Sequence, residues 1–119
     1  MARYRDLRAW RAAHEMAVEV YKVTECWRPA ERYGLTAQVR RAAFSAPSNI
    51  AEGSMRRGAR EFRRFLDVAL GSIAEVEYTL EFAEAVGVAL SGDRDRLAPM
   101  IANTGRLTYR LARSLDAFR

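Results

Sequence analysis

The chain has 119 residues, half of them hydrophobic and 29% charged, with only seven glycines and three prolines. That length holds one compact domain across residues 1–119, and the composition suits a globular protein of long helices, not a disordered chain or a many-stranded sandwich. The single cysteine, Cys26, excludes an intrachain disulfide and fits a reducing, cytoplasmic setting, while no apolar run approaches the ~20 residues needed to cross a bilayer. Net charge is +5, and all the basic residues except Lys22 are arginine, whose forked guanidinium matches phosphate.

Apolar residues recur at steps of three and four, and no stretch alternates with period two for long enough to suggest a strand, so the fold class expected is all-α. A first helix is expected over residues 6–27, capped by Asp6, with Leu7, Trp10, His14, Ala17, Tyr21 and Thr24 facing inward; Pro29 stops it. A second runs over 35–53 from a Thr36 cap, with Val39, Ala43, Ala46 and Ile50 inward and a bend at Pro47. The third, over 59–86, is the clearest: Phe62, Leu66, Ala69, Ile73, Val76, Leu80, Ala83 and Gly87 form an unbroken seam. The last, over 93–118, repeats those steps with Leu97, Ile101, Thr104, Thr108, Leu111, Leu115 and Phe118. Short connections between helices of this length predict an antiparallel up-down-up-down four-helix bundle.

Bundle cores often house metals, but one histidine and one cysteine cannot build a zinc set, and Arg11 stands where a Glu-x-x-His pair would need its glutamate. His14 is therefore expected to be structural, held by a neighbour in the bundle. No phosphate loop with a Lys-Ser/Thr ending occurs, the serines lack a histidine partner, and Cys26 lacks a nearby base. The expectation is no catalytic residue, no metal and no cofactor.

Alternating helix directions gather charge. The starts of helices one and three share an end with the finishes of helices two and four. That end collects Arg3, Arg5, Arg8, Arg11, Arg56, Arg57, Arg60, Arg63, Arg64, Arg110, Arg113 and Arg119 against Asp6, Glu52, Glu61 and Asp116. In helix three the cations stand at the start and five acids, Asp67 to Glu84, follow, which opposes the helix dipole. Arg94, Arg96 and Arg106 of helix four can answer the acids Glu75, Glu77, Glu81 and Glu84; the basic start has no such answer. Phosphate is the anion expected there, with Arg3, Arg5, Arg8, Arg56, Arg57, Arg60, Arg63, Arg64, Arg110 and Arg113 as its contacts. No aromatic platform is evident among them, since Phe62 belongs to the seam and Phe65 reads as packing. Backbone-directed binding with strong salt dependence is the expectation.

The stretch YGLTAQVRRAAFSAPSNIAEG, followed by REFRRFLDVALGSIAEVE, resembles the 23S ribosomal RNA intervening-sequence protein family. Gly34-Leu35-Thr36, Gln38, Arg40-Arg41-Ala42, Ser45, Asn49 to Gly53, Glu61-Phe62, Phe65-Leu66 and Gly71-Ser72 with Glu75 carry the likeness, and Leu7, Trp10 and Ala13 extend it. The resemblance implies a homopentamer of four-helix bundles with a basic surface and no known catalytic activity. Some members are encoded inside ribosomal RNA genes. A similar fold serves as the accessory protein of diversity-generating retroelements, beside a reverse transcriptase and nucleic acid.

The family motif itself reads as structural. Gln38, Arg41, Asn49, Glu52, Ser72 and Glu75, near the small residues Gly53 and Gly71, would form a polar layer that fixes register, with Gly53 ending helix two in the left-handed region. The function expected is a non-enzymatic, oligomeric protein that binds RNA or DNA through its arginine end. The alternative is a protein–protein scaffold or an accessory subunit, for example of a reverse transcriptase.

Overall fold

The computed structural model describes residues 3–118, with side chains to residue 117; Arg119 and the Phe118 side chain lie outside the described residues. Four helices, α1 (Arg8–Thr24), α2 (Leu35–Ser54), α3 (Ala59–Ala85) and α4 (Asp93–Ser114), are joined by short connections. Single 3-10 turns stand at Tyr4–Asp6, Pro29–Glu31 and Leu115–Phe118. Each helix packs on two neighbours, in the ring α1–α2–α3–α4–α1, and the bundle measures 45 × 22 × 19 Å. All regular structure among the described residues is helical, and none of those helices is long and apolar enough to cross a membrane.

The expected seams of α2, α3 and α4 are the ones that meet. Val39, Ala43, Ala46 and Ile50 of α2, Leu66 to Ala83 of α3, and Leu97, Ile101, Thr104 and Thr108 of α4 are buried, with Phe62, Leu111 and Leu115 partly so. Gly87 is not part of the seam; it is exposed, at φ +77° just past the end of α3.

Helix α1 departs from expectation by one residue, although Leu7 and Trp10 of the expected stripe remain partly buried against the core. Its buried face is Ala9, Ala13, Met16, Val20 and Val23, each immediately before a residue of the expected stripe Trp10, His14, Ala17, Tyr21 and Thr24. One residue is about 100° of helix rotation. The alanine face lets α1 lie close to its neighbours, whereas the aromatic face would hold them apart. Ala17 and Thr24, on the shared border of the two stripes, are buried in both readings. His14 is exposed and stacks on Trp10 with ring centroids 4.9 Å apart, so it is not held inside the bundle.

The helix ends also differ from their expected caps. Asp6 lies in the first 3-10 turn and Leu7 occupies the cap position of α1, with no side-chain cap. α2 begins one residue before Thr36, and Glu31 Oε1 accepts the Leu35 amide at 3.1 Å, doing a cap's work from the preceding turn. α1 ends at Thr24, five residues before Pro29, where Arg40 of α2 donates to the Tyr21 carbonyl and to Thr24 Oγ1. A guanidinium over the last carbonyls suits the negative end of the helix dipole. α2 continues as helix through Pro47, which is buried. At the far end Asp93 Oδ2 accepts both the Leu90 amide and the indole N–H of buried Trp27, tying the start of α4 to the end of α1.

Gly53 does not end α2 in the left-handed region. It lies inside the helix, buried, where an added Cβ would stand 2.6 Å from Cβ of Phe65 in α3. The glycine is needed for close approach. The left-handed glycine of this connection is Gly58, at φ +83°, directly before α3. We expect Gly53→Ala to lower stability by about 1–3 kcal/mol through overpacking, although alanine favours helix. Urea unfolding checks this, and a stabilised variant would mean that α2 and α3 yield readily.

One buried hydroxyl is mismatched to its site. Thr108 is fully buried, and its Oγ1 has no hydrogen-bond partner among the described residues, while Thr104 one turn earlier donates to the Met100 carbonyl. An orphaned buried hydroxyl costs about 1–3 kcal/mol. Thr108→Val, which keeps the shape and removes the polar atom, should raise stability by about 1 kcal/mol; a fall in the urea midpoint would refute this.

Candidate nucleic-acid interface

The antiparallel path places the start of α3 against the finish of α4. Arg63 is the link: it donates to the Ala112 carbonyl at 3.2 Å, and pairs with Asp116 and, at 3.2 Å, with Asp67. Its side chain is 26% exposed, so this guanidinium belongs to the helix contact more than to the surface. Three more of the expected arginines are also engaged. Arg56 pairs with Glu52 at 2.6 Å, Arg64 with Glu61 at 3.1 Å, and Arg113 with Asp116 at 3.6 Å and with the Tyr109 hydroxyl. Arg56 and Arg64 both lie over the ring of Phe65, which is buried, as packing requires.

The remaining six differ. Arg3, Arg5, Arg8, Arg57, Arg60 and Arg110 are exposed, and no carboxylate among the described residues pairs with them. Arg5 lies over the Tyr4 ring at 4.7 Å, and its carbonyl accepts from Arg11. The far half of α3 is answered in part as expected: Arg94 bonds Glu84 at 2.9 Å and lies 3.5 Å from Glu81. Arg96 and Arg106 go elsewhere, to Glu19 of α1 and to Asn103.

The polar motif resolves into separate groups along α2 and α3. Gln38 donates to Glu75 at 2.8 Å, with Arg41 at the outer edge of hydrogen-bond range from Gln38. Asn49 donates to both the carbonyl and the hydroxyl of Ser45, and Ser72 Oγ lies 2.8 Å from Ser45 Oγ and 3.1 Å from the Val68 carbonyl. Glu52 takes no part, being paired with Arg56 beyond the end of the row. Gly71 is exposed with nothing within 4 Å of an added Cβ. These bonds pin α2 against α3 where small residues bring them together.

Residues 5–110 match the model of the 23S rRNA-intervening sequence protein family. The chain belongs to that family. No curated protein matches it. The region shared with the 23S rRNA-intervening sequence proteins takes in the Gln38–Glu75 and Ser45–Ser72 contacts and most of the arginine end. Arg3, Arg113 and Asp116 fall outside it.

The residues missed by sequence reasoning lie beside this end. Rotation of α1 leaves Trp10, His14 and Tyr21 lining, with Phe44 and Ala51 of α2 and Met55 just past its end, a groove of about 900 Å³ that Tyr4 also lines at the arginine end. Ala9, Ala13, Met16, Val20 and Val23 make a seam with the same spacing as the aromatic one, and their smaller size was the available signal. No group of three or more histidine, cysteine or acidic residues among the described residues could hold a metal.

Among the paired arginines, Arg64 has a titratable partner to report on it. Its hydrogen bond and charge, with added charge from Arg56 and Arg60, hold the Glu61 carboxyl below its ordinary pKa. A lowered folded-state pKa means that the pair's stabilisation is present above the ordinary carboxylate range and is lost as pH falls through the lowered value. Both groups are exposed, so the effect on global stability is small. Carbon-detected NMR titration should find Glu61 returning upward in Arg64→Ala; an unchanged titration would mean that the pair does not persist in solution.

Proposed function

We propose that the chain is a non-enzymatic, oligomeric protein that binds nucleic acid, RNA foremost, on its arginine-rich end. The observation that carries this reading is the set of exposed guanidiniums at one end, Arg57 and Arg60 at the head of α3, Arg5 and Arg8 at the start of α1 and Arg110 near the finish of α4, that meet no carboxylate among the described residues. Cations at the start of α3 oppose its dipole. A surface shaped only for helix stability would favour acids there, as α4 does with Asp93 and Asp95 in its first turn; the first turn of α3 has one acid, Glu61, and it is paired with Arg64. The family's description names an intervening sequence of 23S rRNA and no ligand, so the choice of RNA rests on the binding test below.

Self-association is the second part of the reading. Val68, Tyr78 and Phe82 stand exposed along the outer face of α3, with Tyr78 at 62%. An apolar row of this kind supports contact with another copy of the chain, and the resemblance gives five copies. The competing role, a scaffold or accessory subunit whose arginines meet an acidic protein surface such as that of a reverse transcriptase, is separated by nuclease: a partner that stays bound after digestion is held by protein contact.

The direct test titrates a structured RNA at several salt concentrations against the wild type and a variant with Arg8, Arg57, Arg60 and Arg110 replaced by glutamine. The variant should bind at least about tenfold more weakly, and its log–log salt slope should flatten by about 0.7–0.9 for each phosphate that is no longer neutralised. Equal affinities, or wild-type affinity indifferent to salt, would overturn the proposal.

A further inference from the structure

We infer that the α1–α2 groove is a stacking site for unpaired nucleobases, so that single-stranded RNA is held by its bases along the groove while its phosphates meet the neighbouring cations. This rests on the nucleic-acid reading above and adds a ligand class to it. The groove is built for flat rings. Trp10 and His14 are already parallel, 12° between planes, and Tyr4 meets Trp10 edge-on at 4.8 Å. Farther along, Tyr21 is 48% and Phe44 64% exposed, both too large to be left bare by accident of a small core. From Trp10 to Glu25 the α1 wall runs about 22 Å, long enough for a short row of bases.

The charge around the groove matches a strand and not an apolar helix. Arg5 lies over Tyr4 at the arginine end. Arg11 and Lys22, eleven residues apart and so three turns along one line of α1, follow its outer edge. Past the other end, in an adjoining hollow that Tyr21 and Phe44 share with Arg41 and Glu75, Arg40 sits 4.4 Å over the Tyr21 ring, held there by its bonds to the Tyr21 carbonyl and Thr24. Two carboxylates, Glu25 and Glu52, line the groove, and Glu52 is paired with Arg56. Rings in a trough between cations are the arrangement that holds single strands: every base offers a flat face, so binding tolerates sequence, and the cations track the backbone. A duplex keeps its bases in its own stack and can use only the arginine end.

The experiment compares three labelled probes by anisotropy: a short oligouridylate, a blunt RNA duplex with strands of the same length, and an abasic strand carrying the same number of phosphates. The oligouridylate should bind at least about fivefold more tightly than the abasic strand, and should quench tryptophan emission through Trp10; Trp27, buried against Asp93 at the opposite end, stays silent. Phe44→Ala, at an exposed position that leaves the core intact, should remove at least about fivefold of the oligouridylate affinity and leave the duplex and abasic affinities unchanged. Tyr21→Leu should do the same, which guards against a local effect of one variant. Equal binding of oligouridylate and abasic strand would overturn the inference while leaving the arginine proposal standing. So would a Phe44→Ala variant that changes particle mass in light scattering without changing base-dependent affinity, because the groove would then be a contact between copies. Failure of all three probes to bind, or binding indifferent to the arginine-to-glutamine variant, removes the parent reading instead.

Discussion

Close approach of α1, α2 and α3 through small side chains governs the rest of this bundle. Ala9 and Ala13 of α1, Ala42, Ala43, Ala46 and Gly53 of α2, and Ala69 and Ser72 of α3 are buried where the helices meet. At Gly53 the spacing leaves no room for one added carbon beside Phe65. Interiors packed this tightly transmit changes of a single methylene, so the positions of the larger residues are dictated by where small ones permit contact. Tyr21 and Phe44 have no place inside and line the outside of the α1–α2 seam instead, together with Trp10, which is partly buried against the core. The polar bonds of Gln38 with Glu75 and of Ser45 with Ser72 and Asn49 then fix the sliding register of two helices whose small faces alone would set it weakly.

Charge follows from the same path. Because neighbouring helices alternate in direction, residues far apart in sequence reach one end, and Arg63 fastens the head of α3 to the tail of α4 there. The carboxylates of that end are mostly occupied by nearby arginines, leaving the others to solvent. Exposed pairs of this kind contribute little to stability, yet they decide which cations remain open. At the opposite end the arrangement is reversed in purpose: Arg94 and Asp93 are engaged in holding α4 to α3 and to Trp27.

Most of the fold was legible in the sequence because α2, α3 and α4 each carry a single apolar seam, and the alternating path follows from short connections. α1 was ambiguous for a physical reason. Two stripes one residue apart have the same spacing, and hydrophobicity favours the aromatic one, whereas packing distance favours the alanine one; only the positions of the neighbouring helices choose. The caps were misplaced because Glu31 acts across a turn on Leu35, a relation that local sequence rules centred on Thr36 do not contain. At the candidate site, the gathering of arginines at one end was readable from topology. The division between Arg63, turned to Ala112 and Asp116, and exposed Arg57 and Arg60 was not, since it depends on which faces meet. The aromatic trough escaped notice for the same reason as the α1 seam, being its other side.

The four-residue link between α2 and α3, with Gly58 turning the chain directly into α3, has a consequence for assembly of the fold in time. The two helices with the most extensive mutual contact are also adjacent in the chain. Closing so short a loop requires little ordering of the chain, whereas joining Trp27 to Asp93 spans 66 positions. Low contact order of this kind favours rapid folding. The α2–α3 hairpin is thus the natural nucleus on which the outer helices settle, and Gly53 and Ser72 stand inside it.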